Sequence, residues 1–362
     1  MKKLFLLSIS VLLSVTLYAG EPFATYSFSS TSITKFEAST IAGNITLTGD
    51  AGEKATVQVF ISGNNQTDEQ IKQILDEYYI VDVSVANGKL FAVVKHQKEL
   101  RRQQELDISF TINVPKHVAG KMNSASGNIS INETSGDIDF NTASGSLMIE
   151  RVSGKISGNT ASGNINLTNS TNNISLNTAN GNVSVNNCTG NIHLNSANGN
   201  LLANNIEGNI SLNTANGTVK VSDIKGDINL NTANGNVTAN NIAGTLNAGS
   251  ASGNMVLKDI SGNLNIKNAS KGNNNKKNTG NIDVTMIHVD KYVVISNNST
   301  NVNLTLPAKN GYKLNVNAEK VEVSGIMDFS GKKDMKTLVG NVGSGGAKIE
   351  ISKTQQVNIV FK

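Results

Sequence analysis

Glycine recurs every nine residues through the middle of this 362-residue chain, and this spacing constrains the fold more than any other sequence feature. Position 172 of the nine-residue lattice is Asn, and the other positions are Gly127, Gly136, Gly145, Gly154, Gly163, Gly181, Gly190, Gly199, Gly208, Gly217, Gly226, Gly235, Gly244, Gly253 and Gly262. Glycine and asparagine are the residues that best tolerate a positive φ. The lattice therefore predicts a tight turn with a positive φ at each point.

Each lattice point is followed by an alternation of apolar and polar residues. After Gly163, the second and fourth residues are Ile165 and Leu167, and the polar Asn166 lies between them. The second residue is apolar at every lattice point, and the fourth is apolar at nearly every one. A period of two is typical of a strand with one buried face. Each half-repeat of nine residues is therefore predicted to be a short strand followed by a turn.

The seventh residue after the lattice point doubles the period. In alternate half-repeats it is Ala125, Ala143, Ala161, Ala179, Ala197, Ala215, Ala233, Ala251 and Ala269. In the others it is usually larger, as at Val152, Cys188, Ile206, Ile224, Ile242 and Ile260. Short strands bury their apolar faces only when such units stack in register. The sequence predicts an all-β fold, a single-stranded parallel β-helix (β-solenoid) with 18-residue turns of two half-repeats and internal ladders of Ile, Leu and Ala.

Asparagine forms columns with the same 18-residue spacing. One column is Asn141, Asn159, Asn177, Asn195, Asn213 and Asn231, and a second is Asn164, Asn182, Asn200, Asn236 and Asn254. Stacked amide side chains can hydrogen-bond to one another along the axis of a parallel sheet. Both columns are predicted to be such ladders.

The regular solenoid is predicted to span residues 119–288. A solvated loop is predicted at Lys271 to Asn278, where asparagines replace the apolar residues of the repeat. Residues 20–118 hold less regular strand patterns and a helix at Asp68 to Tyr78, and residues 289–362 alternate again. Both flanks are predicted to be irregular β coils that cap the open ends of the solenoid, as its solubility requires.

Residues 1–19 are predicted to be a signal peptide. Lys2 and Lys3 precede an apolar run over residues 4–17, and a cleavage site follows at Ala19. The competing interpretation is a membrane anchor, but the run is shorter than the roughly 20 residues a spanning helix needs. We therefore expect export to the periplasm, the outer surface or the medium, with no transmembrane segment in the mature chain.

The sequence resembles a known bacterial family between Phe110 and Ile131 and at later positions where the same triplets recur. Residues 110–115 read FTINVP, residues 124–131 read SASGNISI, and Ala-Ser-Gly and Ala-Asn-Gly triplets follow. This order is similar to that of the bacterial putative-adhesin family of β-strand-repeat proteins, a domain of unknown function. The resemblance implies a right-handed parallel β-helix and a cell-envelope location. It implies no catalytic residue and no defined ligand.

Composition excludes several functional classes. With 31 basic and 27 acidic residues, the chain has no electrostatic basis for binding nucleic acid. Its one cysteine, Cys188, cannot form an intramolecular disulfide and is predicted to be a buried small hydrophobe. No aromatic residue occurs between Phe140 and Tyr292, so strong carbohydrate binding on the repeats is not expected, although many weak hydrogen bonds from Asn, Ser and Thr could add up over a flat face.

The repeats offer few residues with the chemistry of a site. Calcium-binding β-rolls have the pattern G-G-x-G-x-D, but here the second glycine is missing and the residue after the lattice point is usually Asn, with Asp only at Asp137 and Asp227. Asp223 and Asp259 share a column but are expected to lie two turns, roughly 10 Å, apart, with Asn241 between them. These acids are predicted to be solvated surface charges.

The remaining charged residues and histidines give the same result. Glu133 and Arg151 are predicted to form a surface ion pair. His193 should point outward, and His117 and His288 lie outside the regular repeats, so no metal cluster is predicted. The sequence predicts no catalytic, metal-binding or cofactor-binding residue, no cofactor, and no particular binding face.

A column of hydroxyl residues allows two interpretations. The column consists of Thr142, Thr160, Thr178, Ser196, Thr214 and Thr232. Regularly spaced hydroxyls on an exposed face would suggest ice binding. Hydroxyls that line turns would be structural, and this interpretation is favoured because one such column is present.

The sequence favours a non-catalytic, exported cell-envelope or surface protein, an adhesin or interaction scaffold that binds an envelope protein, a surface protein or a glycan through polar solenoid faces. The oligomeric state is left open. An alternative is an exported polysaccharide-active β-helix enzyme, a lyase or hydrolase, and a third possibility is a stress-sensing or assembly role in the periplasm. An enzyme needs a groove with convergent carboxylates, whereas a scaffold should present flat faces.

Overall fold

A computed structural model describes residues 20–50, 52–267, 280–296 and 301–362. The predicted signal peptide (1–19) and the predicted loop at Lys271 to Asn278 lie outside the described residues. The chain divides between Ser162 and Gly163 into two compact units. Each unit is described by itself, and the three predicted segments 20–118, 119–288 and 289–362 stay predictions.

The N-terminal unit consists of strands, one helix and two 3₁₀ turns in its described part. The helix α1 is Asp68–Tyr78, and the turns are Ser30–Ser32 and Arg102–Gln104. The strands are β1 (Ala24–Ser29), β2 (Lys35–Ala42), β3 (Ile45–Thr48), β4 (Lys54–Gly63), β5 (Tyr79–Ala86), β6 (Lys89–His96), β7 (Leu106–Asn113), β8 (Ala119–Ser126), β9 (Ile129–Asn132), β10 (Ile138–Ser144), β11 (Leu147–Glu150) and β12 (Ile156–Ser162).

The strands of this unit pair in two rows. One row runs β5, β6, β2, β8, β10, β12, and the other runs β1, β4, β7, β3, β9, β11. The pairs β5–β6, β1–β4 and β4–β7 are antiparallel, and the others are parallel. The regular stacking of parallel strands is thus replaced by antiparallel pairs in the first part of the unit.

The helix α1 has the bounds that the sequence predicts. Thr67 is its N-cap, and it exchanges hydrogen bonds with Gln70 in a capping box that satisfies two backbone N–H groups at the helix start. Ile71 and Leu75, four residues apart, are its buried residues and pack the helix against the strands. The opposite face is exposed.

The C-terminal unit consists of strands in its described part. They are β13 (Ile165–Thr168), β14 (Ile174–Asn180), β15 (Val183–Thr189), β16 (Ile192–Asn198), β17 (Leu201–Glu207), β18 (Ile210–Asn216), β19 (Val219–Lys225), β20 (Ile228–Asn234), β21 (Val237–Ser252), β22 (Met255–Lys267), β23 (Ile282–Ser296), β24 (Asn301–Leu306), β25 (Tyr312–Ser324), β26 (Phe329–Lys333), β27 (Thr337–Val342) and β28 (Ala347–Phe361). The longer strands each pair with two shorter ones: β21 pairs with β19 through its first half and with β20 through its second half. The strand β27 pairs antiparallel with β25 and β26, and the last strand, β28, pairs in parallel with β23, β24 and β25.

Paired strands in the regular part are in register at identical positions of the repeat. Ile192 pairs with Ile210, and Leu194 pairs with Leu212, an offset of 18 residues. The inward residues are almost completely buried, and they form columns of Ile, Leu and Val. The fold is therefore all-β and solenoid-like, built mostly of parallel strands, as the sequence predicts.

The predicted internal ladder of alanines is wrong. Ala179, Ala197 and Ala215 are exposed, whereas the preceding Thr178, Ser196 and Thr214 are buried. In the other half-repeat, the sixth residue after the lattice point is left-handed, with φ between 51° and 56°, at Glu133, Arg151, Asn169, Asn187, Asn205, Asp223, Asn241 and Asp259. That residue shifts the alternation by one position, so the seventh residue, such as Cys188, points inward. Without the shift, the alternation continues and alanine points outward.

The predicted role of the lattice glycines is correct only in part. A positive φ occurs at Gly127, Gly190, Gly208, Gly226, Gly244, Gly253 and Gly262, and Asn172 has φ 86°. The other lattice glycines lie outside the left-handed region. At seven of these eight a Cβ would collide with the preceding coil: at Gly199 it would lie 1.9 Å from the carbonyl oxygen of Gly181. Close approach of stacked backbones is the more general requirement.

We predict that Gly199→Ala destabilises the protein by about 2 kcal/mol or more, because the added methyl group forces two stacked backbones apart. A guanidinium denaturation series followed by circular dichroism measures the change in midpoint. Gly52→Ala is the control, since a Cβ there meets no atom within 4 Å. Equal midpoints for both variants would contradict this explanation of the lattice.

Candidate functional site

A cleft of about 1000 Å³ lies beside α1 in the N-terminal unit. We call it the amide cleft, because its lining includes the side chains Asn64, Asn65, Gln66, Gln70, Gln73 and Gln103. Ile74, Leu100 and Leu106 add apolar surface. A primary amide offers two donor hydrogens and an acceptor oxygen. The cleft can therefore make many hydrogen bonds to an uncharged polar ligand.

A side-chain hydrogen bond joins two walls of the amide cleft. Nε2 of Gln66 donates to the carbonyl oxygen of Gln103 at 2.7 Å, which ties the segment before α1 to the segment before β7. The side chain of Gln66 fits because Gly63 has none: a Cβ there would lie 1.8 Å from Oε1 of Gln66. That oxygen is buried and has no hydrogen-bond partner among the described residues. The wall thus includes one unsatisfied acceptor.

Tyr79 lines the amide cleft and hydrogen-bonds to the backbone of one of its walls. Its hydroxyl donates to the carbonyl oxygen of Gln104 at 3.1 Å and accepts from the backbone N–H of Leu106 at 2.9 Å. Its ring meets that of His96 edge-on, with 5.0 Å between centroids. Burial raises the pKa of Tyr79, so the hydroxyl keeps its proton and its donor role.

Besides Tyr79, four residues with ionisable side chains line the amide cleft, namely His96, Arg102, Glu105 and Asp107. All four are exposed. Glu105 immediately precedes β7 in an extended conformation, and Asp107 is the second residue of β7, so the backbone directs both side chains toward the same face. The cleft is therefore not a flat scaffold face, and it holds two of the carboxylates that the enzyme alternative requires.

A shallow groove of about 650 Å³ shares Ile41 and Ala125 with the amide cleft. We call it the alanine groove. It crosses β2, β8, β10 and β12 and is lined by Ser39, Thr40, Ile41, Asn123, Ser124, Ala125, Asn141, Thr142, Ala143, Asn159, Thr160 and Ala161. The alanines are its exposed floor, because the threonines between the asparagines and alanines point into the core.

The first asparagine column is the ladder that the sequence predicts. In the N-terminal unit, Nδ2 of Asn159 donates to Oδ1 of Asn141 at 3.0 Å, and Asn141 donates to Asn123 at 3.4 Å. In the C-terminal unit, Asn177, Asn195, Asn213 and Asn231 form a ladder with bonds of 2.7 to 3.0 Å.

The second asparagine column bonds differently from the prediction. Its side-chain oxygens accept from backbone N–H groups of the next coil, as Oδ1 of Asn182 does from Asn200 at 2.9 Å. Asp137 and Asp227 occupy equivalent positions and accept in the same way from Lys155 and Thr245, at 2.9 and 3.0 Å. A carboxylate oxygen of each candidate calcium ligand is therefore used to hold the backbone.

The other acids considered from the sequence lie on the surface. Asp223 accepts a hydrogen bond of 2.6 Å from Asn241, and both have the left-handed backbone, as Asp259 does. Arg151 pairs with Glu133 at 3.0 Å, as predicted, and also with Glu150. None of these residues lines the amide cleft or the alanine groove.

The histidines are dispersed. His193 is exposed and contacts Asn195, His117 is exposed, and His288 pairs with Asp290 at 3.1 Å. Within the part of the chain that the structure describes, no group of three His, Cys, Asp or Glu residues could hold a metal ion. The prediction of no metal or cofactor stays a prediction.

The hydroxyl column is structural. Thr214 is only 6% exposed and donates to the carbonyl oxygen of Gly199 at 3.1 Å, and Thr232 donates to Gly217 in the same way. Buried hydroxyls bonded to turns cannot meet ice. The turn-lining interpretation is confirmed, and the ice-binding interpretation is wrong.

The residues of the amide cleft were not predicted from the sequence. The acids considered there lie within the repeats, whereas Glu105 and Asp107 precede the first repeat. The available signal was a change of composition: residues 97–105 read QKELRRQQE, rich in glutamine and charge, whereas the repeats are rich in Asn, Ser and Thr.

These features define an all-β, solenoid-like repeat protein with an amide-lined cleft. A family model, described as Toastrack DUF4097, matches residues 33–223, more than half of the chain. The protein belongs to this family of domains of unknown function, consistent with the resemblance seen in the sequence.

Other comparisons add little. No curated protein matches the sequence. The chain is similar to the crystal structure of a putative cell adhesion protein from Clostridium sporogenes, with 9% identity over 93% of this chain and 98% of the other. The TM-score is 0.19, too low to support a shared fold or function. Within the described residues, no helix has both the length and the hydrophobicity for a membrane crossing.

We predict that Tyr79→Phe lowers the free energy of unfolding by about 1–3 kcal/mol, because the N–H of Leu106 loses its acceptor in a buried site. Thermal and denaturant unfolding measure the loss. Tyr26→Phe, in β1 and half-buried, is the matched control and should change stability much less. An equally small effect at both positions would argue against this role of the hydroxyl.

We also predict that Cys188 resists alkylation in the folded protein. It is 2% exposed, and burial raises the pKa of its thiol, so both access and thiolate are reduced. Mass spectrometry after iodoacetamide treatment should find it unmodified under native conditions and modified in denaturant. Rapid native labelling would show an accessible thiol instead.

Proposed function

We propose that the protein is a non-catalytic, exported cell-envelope or surface protein that binds its partner through the amide cleft and the adjoining alanine groove. We further propose that the chain is a single-stranded parallel β-helix whose 18-residue turn consists of two half-repeats. The register of paired strands and the stacked asparagines support that repeat.

The observation that carries the proposal is the amide lining of the cleft. Six asparagine and glutamine side chains line one concave site, and five of them lie within ten residues, between Asn64 and Gln73. Amides bind without transferring protons, because they do not titrate in the ordinary pH range. Binding sites are usually concave, and convergent polar groups in them fix the orientation of the ligand.

A second candidate function, polysaccharide cleavage, is favoured by Glu105 and Asp107 in the same cleft. Glycosidases place a general acid and a second carboxylate on either side of the bond that they cleave. General acid catalysis near neutral pH calls for a carboxyl group shielded from water. Both side chains are exposed, which supports binding over catalysis.

The test is binding of the purified protein to envelope fractions and polysaccharides, with product formation monitored in the same samples. We expect saturable binding without cleavage. Gln73→Ala and Arg102→Ala should each weaken it roughly threefold to tenfold, the effect of one or two lost hydrogen bonds. Gln58→Ala, on β4 outside the cleft, is the matched control and should bind normally.

The same samples separate the two candidate functions. Cleavage that disappears in Glu105→Gln or Asp107→Asn would overturn the non-catalytic proposal and assign the acids. Binding that is unchanged in the Gln73 and Arg102 variants would place the partner elsewhere on the protein.

A further inference from the structure

We propose that the alanine groove binds a neutral, hydroxyl-rich glycan strand that lies across β2, β8, β10 and β12. This inference rests on the proposed function and names the ligand class of that site. It follows from four properties of the groove: it has no charge, it has a row of amide groups, its floor consists of small side chains, and the backbone of its strands is already hydrogen-bonded.

The groove is electrically neutral. Every described residue that lines it is Ser, Thr, Asn, Ala or Ile. Anionic ligands such as phosphates and uronic acids are normally held by arginine or lysine. The groove offers them no such partner, whereas an uncharged ligand loses little by leaving water there.

The asparagine ladder forms a row of repeated polar groups along the groove. Asn141 donates one amide hydrogen to Asn123 and accepts from Asn159, which leaves its second amide hydrogen for a ligand. Equivalent groups repeat from strand to strand at about 4.8 Å. Sugar hydroxyls both donate and accept, so a polymer of sugars can use such a row at successive units.

The exposed alanines of β8, β10 and β12 give the groove a floor of small side chains. Ala125, Ala143 and Ala161 are exposed, and the core beneath is filled by Ser124, Thr142 and Thr160. Alanine is disfavoured in strands, and no core contact limits the size of an outward side chain. The small residues keep a depression open, and their methyl groups form a floor for the C–H face of a sugar ring.

A peptide is a poorer fit than a glycan. Extended peptides bind mainly by adding a strand to a free sheet edge. Here β2, β8 and β10 each have a partner strand on both sides, so their backbone groups are occupied. A bound peptide would have to rely on side-chain pockets, and the groove is shallow.

The absence of aromatic residues from the lining has a consequence for affinity. Without ring stacking, each sugar contributes little, and useful affinity has to accumulate over several sugars. The affinity should therefore rise steadily with oligosaccharide length until the groove is filled.

The experiment measures calorimetric binding of chito- and cello-oligosaccharides of increasing length to the full protein, with polygalacturonate oligosaccharides as the charged probe. We expect binding to at least one neutral series that strengthens with length. Ala143→Glu should weaken it at least about tenfold by filling and charging the groove. Ala143→Ser, small and neutral, should retain binding.

Met148→Glu is the matched control, because it introduces the same side chain on β11, in the other row, at a position already exposed. It should bind like the unmodified protein, and circular dichroism should show all variants folded. Equal binding by Ala143→Glu, or preference for the charged probe, would overturn the inference. If no neutral oligosaccharide binds but envelope binding persists and depends on Gln73, the inference fails alone. If envelope binding is also absent, the proposed function fails with it.

Discussion

The close contact between successive backbones at the lattice glycines is the constraint on which the rest of the structure depends. At Gly145 a Cβ would lie 2.0 Å from the carbonyl oxygen of Gly127, and at Gly217 it would lie 2.0 Å from that of Gly199. With no side chain in the way, each coil lies directly on the previous one at the spacing of hydrogen-bonded strands. Equivalent side chains are then brought to the same spacing. This allows asparagine amides to bond at 2.9 Å, as Asn198, Asn216 and Asn234 do.

The two half-repeats differ because only one of them has a left-handed residue at the sixth position after the lattice point. In that half, the backbone turn at positions such as Asn187 directs the next residue inward, where Cys188 and Ile206 stack in register. In the other half, the uninterrupted strand places a hydroxyl inside, bonded to a glycine carbonyl, and an alanine outside. The buried hydroxyl is tolerated because its hydrogen bond is satisfied. The exposed alanine is what leaves a groove on the surface.

The candidate site lies where the repeat is least regular. The helix α1 and the segment before β7 are extra elements beside the first strands of the N-terminal unit, and they enclose the amide cleft between them. A regular stack repeats the same shallow surface, whereas these additions provide depth and charge. The regular strands then continue the site as a neutral groove. A deep, partly charged end and a shallow, neutral extension suit a long ligand held at one end.

By itself, the sequence determined the 18-residue offset between paired strands, the inward columns of Ile and Leu, the helix Asp68–Tyr78 and the burial of Cys188. Each of these follows from local spacing or capping, which a single chain segment encodes. Only the tertiary structure showed that threonine and not alanine lies inside. Which half-repeat contains the left-handed shift cannot be read from the sequence, because the shifted position is occupied by residues as different as Glu133, Arg151 and Asn187.

Only the tertiary structure could also explain two further features. Gly158 stands where the repeat has an apolar residue, because the ring of Phe140 from the previous coil fills that space. A Cβ at Gly158 would lie 1.9 Å from this ring. The amide cleft depends on Gln66 meeting Gln103, residues 37 apart in the chain. A repeat pattern specifies which positions are equivalent, but contacts between distant or unequal residues depend on how the coils stack. The sequence therefore determined the scaffold, and the stacking decided the site.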